Sequence, residues 1–341
     1  MKSEKLYQKI TKFIKSKGYN ELNLSSVVDI KYIRDEKLKK YLFTFKDNKK
    51  NKTFALRPDL SLMSLIEFSK KMSDKKSKIY YSGESYRKNQ KINSQIGFEI
   101  YNSNNLNDDL EVIKNSAKIF QKEIGKRGNI NIGNIKLFEA LIRQLDLPQR
   151  WKSRILYLRN NTKYLNEILN RLKTNQDLDE KNIELDKKLY LKMKKLNPNN
   201  IIANRKVKDI LQRFEQKIYI QPRPANGKKT VQIIKSFLKI KCPIQKAPLI
   251  LNNFFKKNKL NIKVSKEFFP VKKNKIDNLK VYFNSYELPA VEIYDDMLFS
   301  IKPIGSKKNK QSIVGGRFNS LSQSIGLRKI NAVGAAINLT S

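Results

Sequence analysis

Hydrophobic residues follow two different periods along this chain. Toward both ends they gather in short β-branched or aromatic runs bounded by Gly, Asn, Asp or Lys clusters, which marks strands. Through the middle they recur three and four residues apart, which marks amphipathic helices. Strands are predicted at residues 41–46, 52–56, 78–82, 94–101, 129–132, 279–284, 297–302 and 332–338. The first helix, residues 2–17, sets Leu6, Ile10, Phe13 and Ile14 on one stripe. A second begins after a cap at Asn107, with Asp108, Asp109 and Glu111 in its first turn and Lys122, Lys126 and Arg127 near its end. Its predicted buried stripe is Leu110, Ile113, Ala117, Phe120 and Ile124. From Ile135 to about Ile218 the pattern stays helical, broken at Pro148 and Pro198, and Pro222-Arg-Pro-Ala-Asn-Gly227 reads as a link back to the sheet. Strands at both ends with helices between them predict an α+β fold: an antiparallel sheet flanked by helices, with a helical insertion. The core is assigned to residues 1–134 and 228–341, the mainly helical insertion to 135–227.

Two stretches place an arginine among β-formers: Thr53-Phe-Ala-Leu-Arg-Pro-Asp59, and Tyr80-Tyr-Ser-Gly-Glu-Ser-Tyr-Arg87 running on to Gln95-Ile-Gly-Phe-Glu99. Strand alternation puts Gln95, Gly97 and Glu99 on one face. Gly97 is expected to leave open floor between an amide and a carboxylate, suited to a small ligand with an ammonium group and a hydrogen-bonding ring. Plainer readings stand beside this one. Arg57 can pair with a carboxylate, Pro58 can open a helix that Asp59 caps, and Arg87 can be solvated beside Lys88 and Lys91. Glu99 can be a surface carboxylate, and Gly315-Gly316 before Arg317 a bulge in a strand. Asp295-Asp296 reads as a turn, since the glycine-threonine loop of a phosphoribosyl-diphosphate site is missing.

Taken in order, these segments resemble the class II aminoacyl-tRNA synthetases, and the histidyl branch in particular. Gly18-Tyr19, Tyr41-Leu-Phe-Thr-Phe-Lys-Asp47 and Leu56-Arg-Pro-Asp59 resemble the first part of that core. Gly83-Glu-Ser-Tyr-Arg87 resembles the second class signature, and Gln95-x-Gly97-x-Glu99 the strand that reads the histidine substrate. Gly315-Gly-Arg-Phe318 and Ala332-Val-Gly-Ala-Ala336 resemble the glycine-rich strand and the opening of the third signature. The resemblance implies histidine-binding residues Asp59, Ser61, Arg87, Gln95 and Glu99, with Gly97, Tyr294, Gly315, Gly316 and Arg317 as pocket lining.

Where the synthetases carry an arginine that helps form the adenylate, this chain reads Phe283-Asn-Ser-Tyr-Glu-Leu-Pro-Ala-Val-Glu-Ile-Tyr294, and no arginine lies between Phe283 and Gly316. The third signature also lacks its arginine, and no anticodon-binding domain is expected after it. Adenylate formation depends on fixed cations around the α-phosphate, so no catalytic residue is assigned. The pattern is similar to that of ATP phosphoribosyltransferase regulatory subunits, non-catalytic synthetase-like proteins of histidine biosynthesis. Ile132-Gly-Asn-Ile-Lys-Leu-Phe-Glu-Ala-Leu-Ile-Arg-Gln-Leu-Asp-Leu-Pro148 and Trp151 add to that likeness. It implies a short catalytic subunit as partner, free histidine as effector, and a self-dimer within a hetero-oligomer. The motif proline usual after Gly18 is replaced within Asn20-Glu-Leu-Asn-Leu-Ser25, at the expected dimer contact. An active or degenerate histidyl-tRNA synthetase core is one alternative. A basic nucleic-acid-binding protein on a reused synthetase fold is another.

Composition narrows the choice. The 72 basic residues against 31 acidic ones give a net charge of +41, which attracts polyanions. The lysines are scattered, however, and no stretch joins glycine, aromatic and basic residues as an RNA-binding module does; solvated lysines from AT-rich coding are the preferred reading, and no specific nucleic acid is expected. Non-specific attraction to RNA at low salt remains. With no histidine and one cysteine, Cys242, histidine-based catalysis, a disulfide framework and a zinc site all fall away, and neither metal nor cofactor is expected. The lack of histidine reads equally as thrift in a protein that helps make it and as compositional drift. No apolar run approaches the ~20 residues of a membrane span, and the first helix lacks the apolar core of a secretory signal. Cytoplasm is the expected compartment.

Overall fold

A computed structural model describes residues 2–34, 36–49, 51–71, 74–125, 127–159, 161–174, 180–202, 205–215, 218, 226–287, 293–304 and 312–339. Two compact units emerge. One comprises Met1–Lys136, Ile240–Asn252 and Val264–Ser341, the other Leu137–Lys239 and Asn253–Lys263.

The chain opens with α1 (Lys2–Lys15), β1 (Asn20–Glu21), β2 (Val27–Asp29), α2 (Glu36–Lys39), β3 (Thr44–Asp47) and β4 (Lys52–Leu56). Next come α3 (Leu60–Lys70), β5 (Ser77–Ser85), β6 (Asn93–Tyr101), α4 (Leu106–Ile119) and β7 (Gly128–Asn134). The helical stretch holds α5 (Ile135–Gln144), α6 (Gln149–Leu158), α7 (Thr162–Thr174), α8 (Glu180–Lys194), β8 (Ile201–Ile202), β9 (Arg205–Lys206), α9 (Val207–Glu215) and α10 (Gly227–Leu238). After it follow β10 (Lys241–Pro243), α11 (Ala247–Lys257), β11 (Lys275–Ile276), β12 (Leu279–Asn284), β13 (Met297–Pro303), β14 (Ile313–Arg317), α12 (Leu321–Ser324) and β15 (Ala332–Asn338). The β8–β9 hairpin interrupts what the sequence pattern predicts as helix throughout. Residues 222–225, most of the predicted Pro-Gly link, lie outside the described residues.

The first unit is built on a ten-stranded sheet ordered β1-β5-β6-β15-β14-β13-β7-β12-β10, with β11 beside β12. Its centre is antiparallel, as expected, but β1 runs parallel to β5 and β7 parallel to β12. Parallel neighbours need a long crossover, and the helical unit is inserted between β7 and β12. The sheet is therefore mixed. A three-stranded sheet, β2-β4-β3, adjoins α3, whose Leu62, Met63, Leu65, Ile66 and Phe68 pack in a core with Val28, Ala55, Ile79 and Leu298.

Helix α4 starts two residues earlier than its sequence suggests. Asn105, not Asn107, is its cap, accepting a 3.1 Å hydrogen bond from the Asp108 amide. Its buried face includes Asp109, whereas Leu110 is only half-buried. The reason is Arg317, 7% exposed, whose Nε stands 2.7 Å from Asp109 Oδ1. Arg317 also donates to the carbonyls of Ser103 (2.9 Å) and Asn105 (2.7 Å), so it clasps the start of the helix to β14.

Candidate functional site

The site begins where β4 hands over to α3. Arg57 spends its guanidinium on backbone: Nε donates to the Glu84 carbonyl (2.6 Å) and Nη1 to that of Leu24 (3.2 Å). Gly83 makes room for it, since a Cβ there would stand 2.6 Å from Arg57 Nη2. Arg57 is thus a clasp, and the carboxylate partner suggested by the sequence is replaced by carbonyls. Asp59 takes the extended conformation of a helix cap and accepts from the Leu62 amide at 2.9 Å through Oδ1. Its other oxygen lies 3.6 Å from Arg87 Nη2, while Arg87 Nε is fixed on the Pro58 carbonyl at 2.9 Å. The Asp–Arg pair is held by backbone at both ends.

Strand β6 shows Gln95, Gly97 and Glu99 on one face, but the floor is not open. Tyr81 of β5 sits opposite Gly97 in the register, and a Cβ at Gly97 would stand 2.3 Å from the Tyr81 ring. Glu99 lies beyond that ring and is 1% exposed. Its carboxylate accepts from the Tyr81 hydroxyl (2.7 Å) and from the Tyr101 hydroxyl (2.5 Å). Tyr81 Oη lies 2.9 Å from Ser61 Oγ, and Tyr101 Oη 2.9 Å from Ser64 Oγ, so two α3 serines close the cage. Burial raises the Glu99 pKa to about 7, against the pull of the tyrosine and serine hydrogen bonds. Burial and the Glu99 charge together push both tyrosines upward.

A cavity of about 400 Å³ opens at the Gln95 end of this face, lined by Asp59, Ser61, Arg87, Gln95 and Tyr294 among the residues expected from sequence. Gly97 and Glu99 do not reach it, because Tyr81 stands in between. Gln95 Nε2 donates to Asn338 Oδ1 (2.6 Å), which leaves its own carbonyl oxygen to accept. Val314, Ala336 and Leu298 form the apolar floor, and Lys91 and Lys302 add cations at the rim. Burial raises the Tyr294 hydroxyl pKa, helped by Asp59 and Glu99.

The glycine-rich strand divides its residues between two faces. Gly316 pairs with Gly334 and Leu298 on the cavity side, where the Tyr294 ring covers it. Gly315 and Arg317 point to the opposite face, Gly315 against Phe299 and Arg317 into the α4 clasp. Neither lines the cavity, because adjacent positions on a strand face opposite sides and it is Val314 and Gly316 that face this one. The register of β14 with both neighbours runs unbroken, without the bulge that the Gly-Gly pair allows. Two members of the site escape sequence reasoning. Asn338 is signalled only by Gly334, Ala336 and Asn338, small, small and polar at alternate positions of one strand. Tyr81 has no such signal; its position follows only from the β5–β6 register.

Chemically, Arg87 can meet a carboxylate, Asp59 an ammonium, and Gln95 with Asn338 a polar ring. Arg87 is the one arginine among the described cavity-lining residues. Among the described residues no group of three or more His, Cys, Asp or Glu side chains is placed to hold a metal ion. No helix among them is long and apolar enough to cross a membrane.

An antiparallel sheet face, a capped helix and an arginine-bearing hairpin beside one cavity define a class II aminoacyl-tRNA synthetase-like core. The family model described as histidyl-tRNA synthetase matches residues 1–233, and the chain belongs to that family. It is 21% identical over 311 residues to the ATP phosphoribosyltransferase regulatory subunit of Sinorhizobium fredii, covering 84% of this chain and 81% of that protein. An ATP phosphoribosyltransferase regulatory subunit/histidyl-tRNA synthetase from Bacillus halodurans shares the fold with a TM-score of 0.62 at 15% identity, over 99% of this chain and 77% of that one. A chain of the ATP phosphoribosyl transferase complex from Thermotoga maritima gives 0.50 at 16% identity, over 99% and 98%.

Proposed function

We propose that this chain is a non-catalytic regulatory subunit of ATP phosphoribosyltransferase, that it activates a short catalytic subunit in the first step of histidine biosynthesis, and that it binds free histidine in the cavity beside α3. One observation carries the reading. The groups suited to an amino acid, Asp59, Arg87 and Gln95, converge on the cavity, whereas Arg317 is turned away and consumed by Asp109. With Arg87 alone among the described lining arginines, and none in the sequence from Phe283 to Gly316, the further arginines with which the synthetases form an adenylate have no counterpart, and the two rim lysines do not offer their forked, bidentate grip on a phosphate. The names of the relatives support the same assignment. Histidine inhibits only by favouring one arrangement of the complex over another, through different affinity for the two.

Three measurements on the full chain test this. ATP–pyrophosphate exchange with histidine should stay at background; exchange above it would establish an active synthetase. Adding the chain to a short catalytic subunit should raise phosphoribosyltransferase activity, and failure to do so, with tRNA co-purifying instead, would favour the nucleic-acid-binding alternative. Calorimetric titration should detect histidine, and Arg87→Met should weaken it tenfold or more, since a charge-assisted hydrogen bond contributes about 1.5–3 kcal/mol. Unchanged binding in that variant would place histidine elsewhere.

A further inference from the structure

A second cavity lies at the far edge of the large sheet, where β10 leaves β12 and turns into α11. It measures about 270 Å³ and is lined by Ile244, Pro248, Phe269 and Val271, with Gln245, Lys266 and Lys272 also contributing. Ile244, Phe269 and Val271 are buried side chains, and Phe269 is packed edge-on against Phe283 of β12, so the apolar wall is rigid. Gln245 is held by Asn274, whose Nδ2 donates to the Gln245 side-chain oxygen (2.7 Å) while its Oδ1 accepts from the Gln245 amide (3.2 Å). Lys266, Lys272 and Gln245 are exposed. Between Lys241 and Lys280 the only acidic residues are Glu267 and Asp277.

We propose that this lysine-rimmed cavity is a docking site for an acidic segment of a partner protein, taking one large apolar side chain between flanking carboxylates. Charge complementarity selects the partner. A two-fold contact with a second copy would set Lys266 and Lys272 against themselves. A neighbouring apolar side chain also favours a protein over a free small molecule: Leu249, next in sequence to the lining Pro248, is 65% exposed, and a ligand confined to the cavity leaves it bare. A polyphosphate chain satisfies the lysines but has nothing to fill the apolar wall. The site lies apart from the cavity beside α3, and the inference stands whether or not histidine binds there.

The test uses the full chain and a labelled peptide, acetyl-Asp-Asp-Leu-Phe-Asp-Asp-amide, in near-physiological salt. The expected result is saturable binding that shifts the methyl resonances of Ile244 and Val271. K266E/K272E should weaken it tenfold or more. The distant pair K46E/K52E, which removes the same charge, should change it less than twofold. Replacing Leu-Phe by Ser-Ser in the peptide should also lose tenfold or more. Equal losses in the two lysine pairs, or equal binding of the serine peptide, would reduce the effect to general attraction by net charge and overturn the proposal. Displacement of the peptide by phenylacetate at comparable concentration would overturn it in favour of a small-ligand site. A short RNA that binds with the same dependence on Lys266 and Lys272, and shifts the same methyl groups, would overturn it in favour of nucleic acid.

Discussion

Glu99 is buried between α3 and the sheet, its carboxylate met by the Tyr81 and Tyr101 hydroxyls, and its ionisation opposes folding. Its pKa is raised from the ordinary 4.5 to about 7 in the folded chain. A carboxyl whose folded pKa is raised contributes most below its unfolded pKa and loses that contribution as pH climbs through the folded one. With one unit equal to ~1.36 kcal/mol, the loss is under about 1 kcal/mol at pH 5 and on the order of 3 kcal/mol at pH 8. Glu99→Gln keeps the shape and the acceptor for one tyrosine hydroxyl but has no charge to bury. The stability of the variant relative to the native chain should therefore rise by roughly 2–3 kcal/mol between pH 5 and pH 8, whatever constant offset its packing introduces. Asp109, pushed up to about 6 by burial against the pull of Arg317, titrates in both proteins and cancels from the difference. Tyr81 and Tyr101 stay protonated across this window, because burial raises them. The one tryptophan, Trp151, belongs to the helical unit, so its fluorescence watches the wrong part of the chain. Hydrogen exchange of the β6 amides, read against urea unfolding by circular dichroism, isolates the right one. Parallel stability curves for the two proteins from pH 5 to pH 8 would refute the buried, ionising carboxyl.

Two further outcomes follow from the same packing. Gly97→Ala forces a methyl onto a ring 2.3 Å away and should destabilise the chain by about 1–3 kcal/mol, read as a lower Tm, with the Tyr81 to Glu99 hydrogen bond lost. Arg317→Met leaves Asp109 buried without its cation and should destabilise by about 3–5 kcal/mol at pH 8, less at pH 5, with D109N/R317M recovering most of the loss in urea unfolding.

The strands are legible in the sequence where their neighbours do not matter. Lys52–Leu56, Leu279–Asn284 and Ala332–Asn338 are bounded by polar clusters that end any strand, and period and punctuation suffice. The mixed character of the sheet is not legible, because the direction of β7 against β12 depends on pairing across the whole helical unit. The same limit governs the site. Asp59, Ser61, Arg87 and Gln95 can be named by their order in the chain, but whether Gly97 opens a floor depends on what β5 sets opposite it. Arg317 is a different case. Gly315 and Arg317 are two apart with Gly316 between them, so a period of two by itself assigns Gly316 to one face and its two neighbours to the other. All three cannot line one pocket, and residue spacing is enough to show it.

The parallel pairing of β7 with β12 also carries a timetable. Ile130 and Ile132, both fully buried in the finished sheet, sit beside Val281 and Phe283 on that side and Ile301 and Phe299 of β13 on the other. Both partners are made long after β7. At a synthesis rate of about 5–20 residues per second, β7 leaves the ribosome roughly 7–30 s before β12 can reach it. For that interval it is a strand with two bare edges and an apolar face, the form most prone to pair with another chain. The length of the intervening helical unit, by contrast, hardly matters to the final stability, since doubling a connection adds only about 0.6 kcal/mol of closure entropy. Insertions there lengthen the wait without weakening the finished sheet, so the hazard in this architecture is one of production rate and nascent-chain protection.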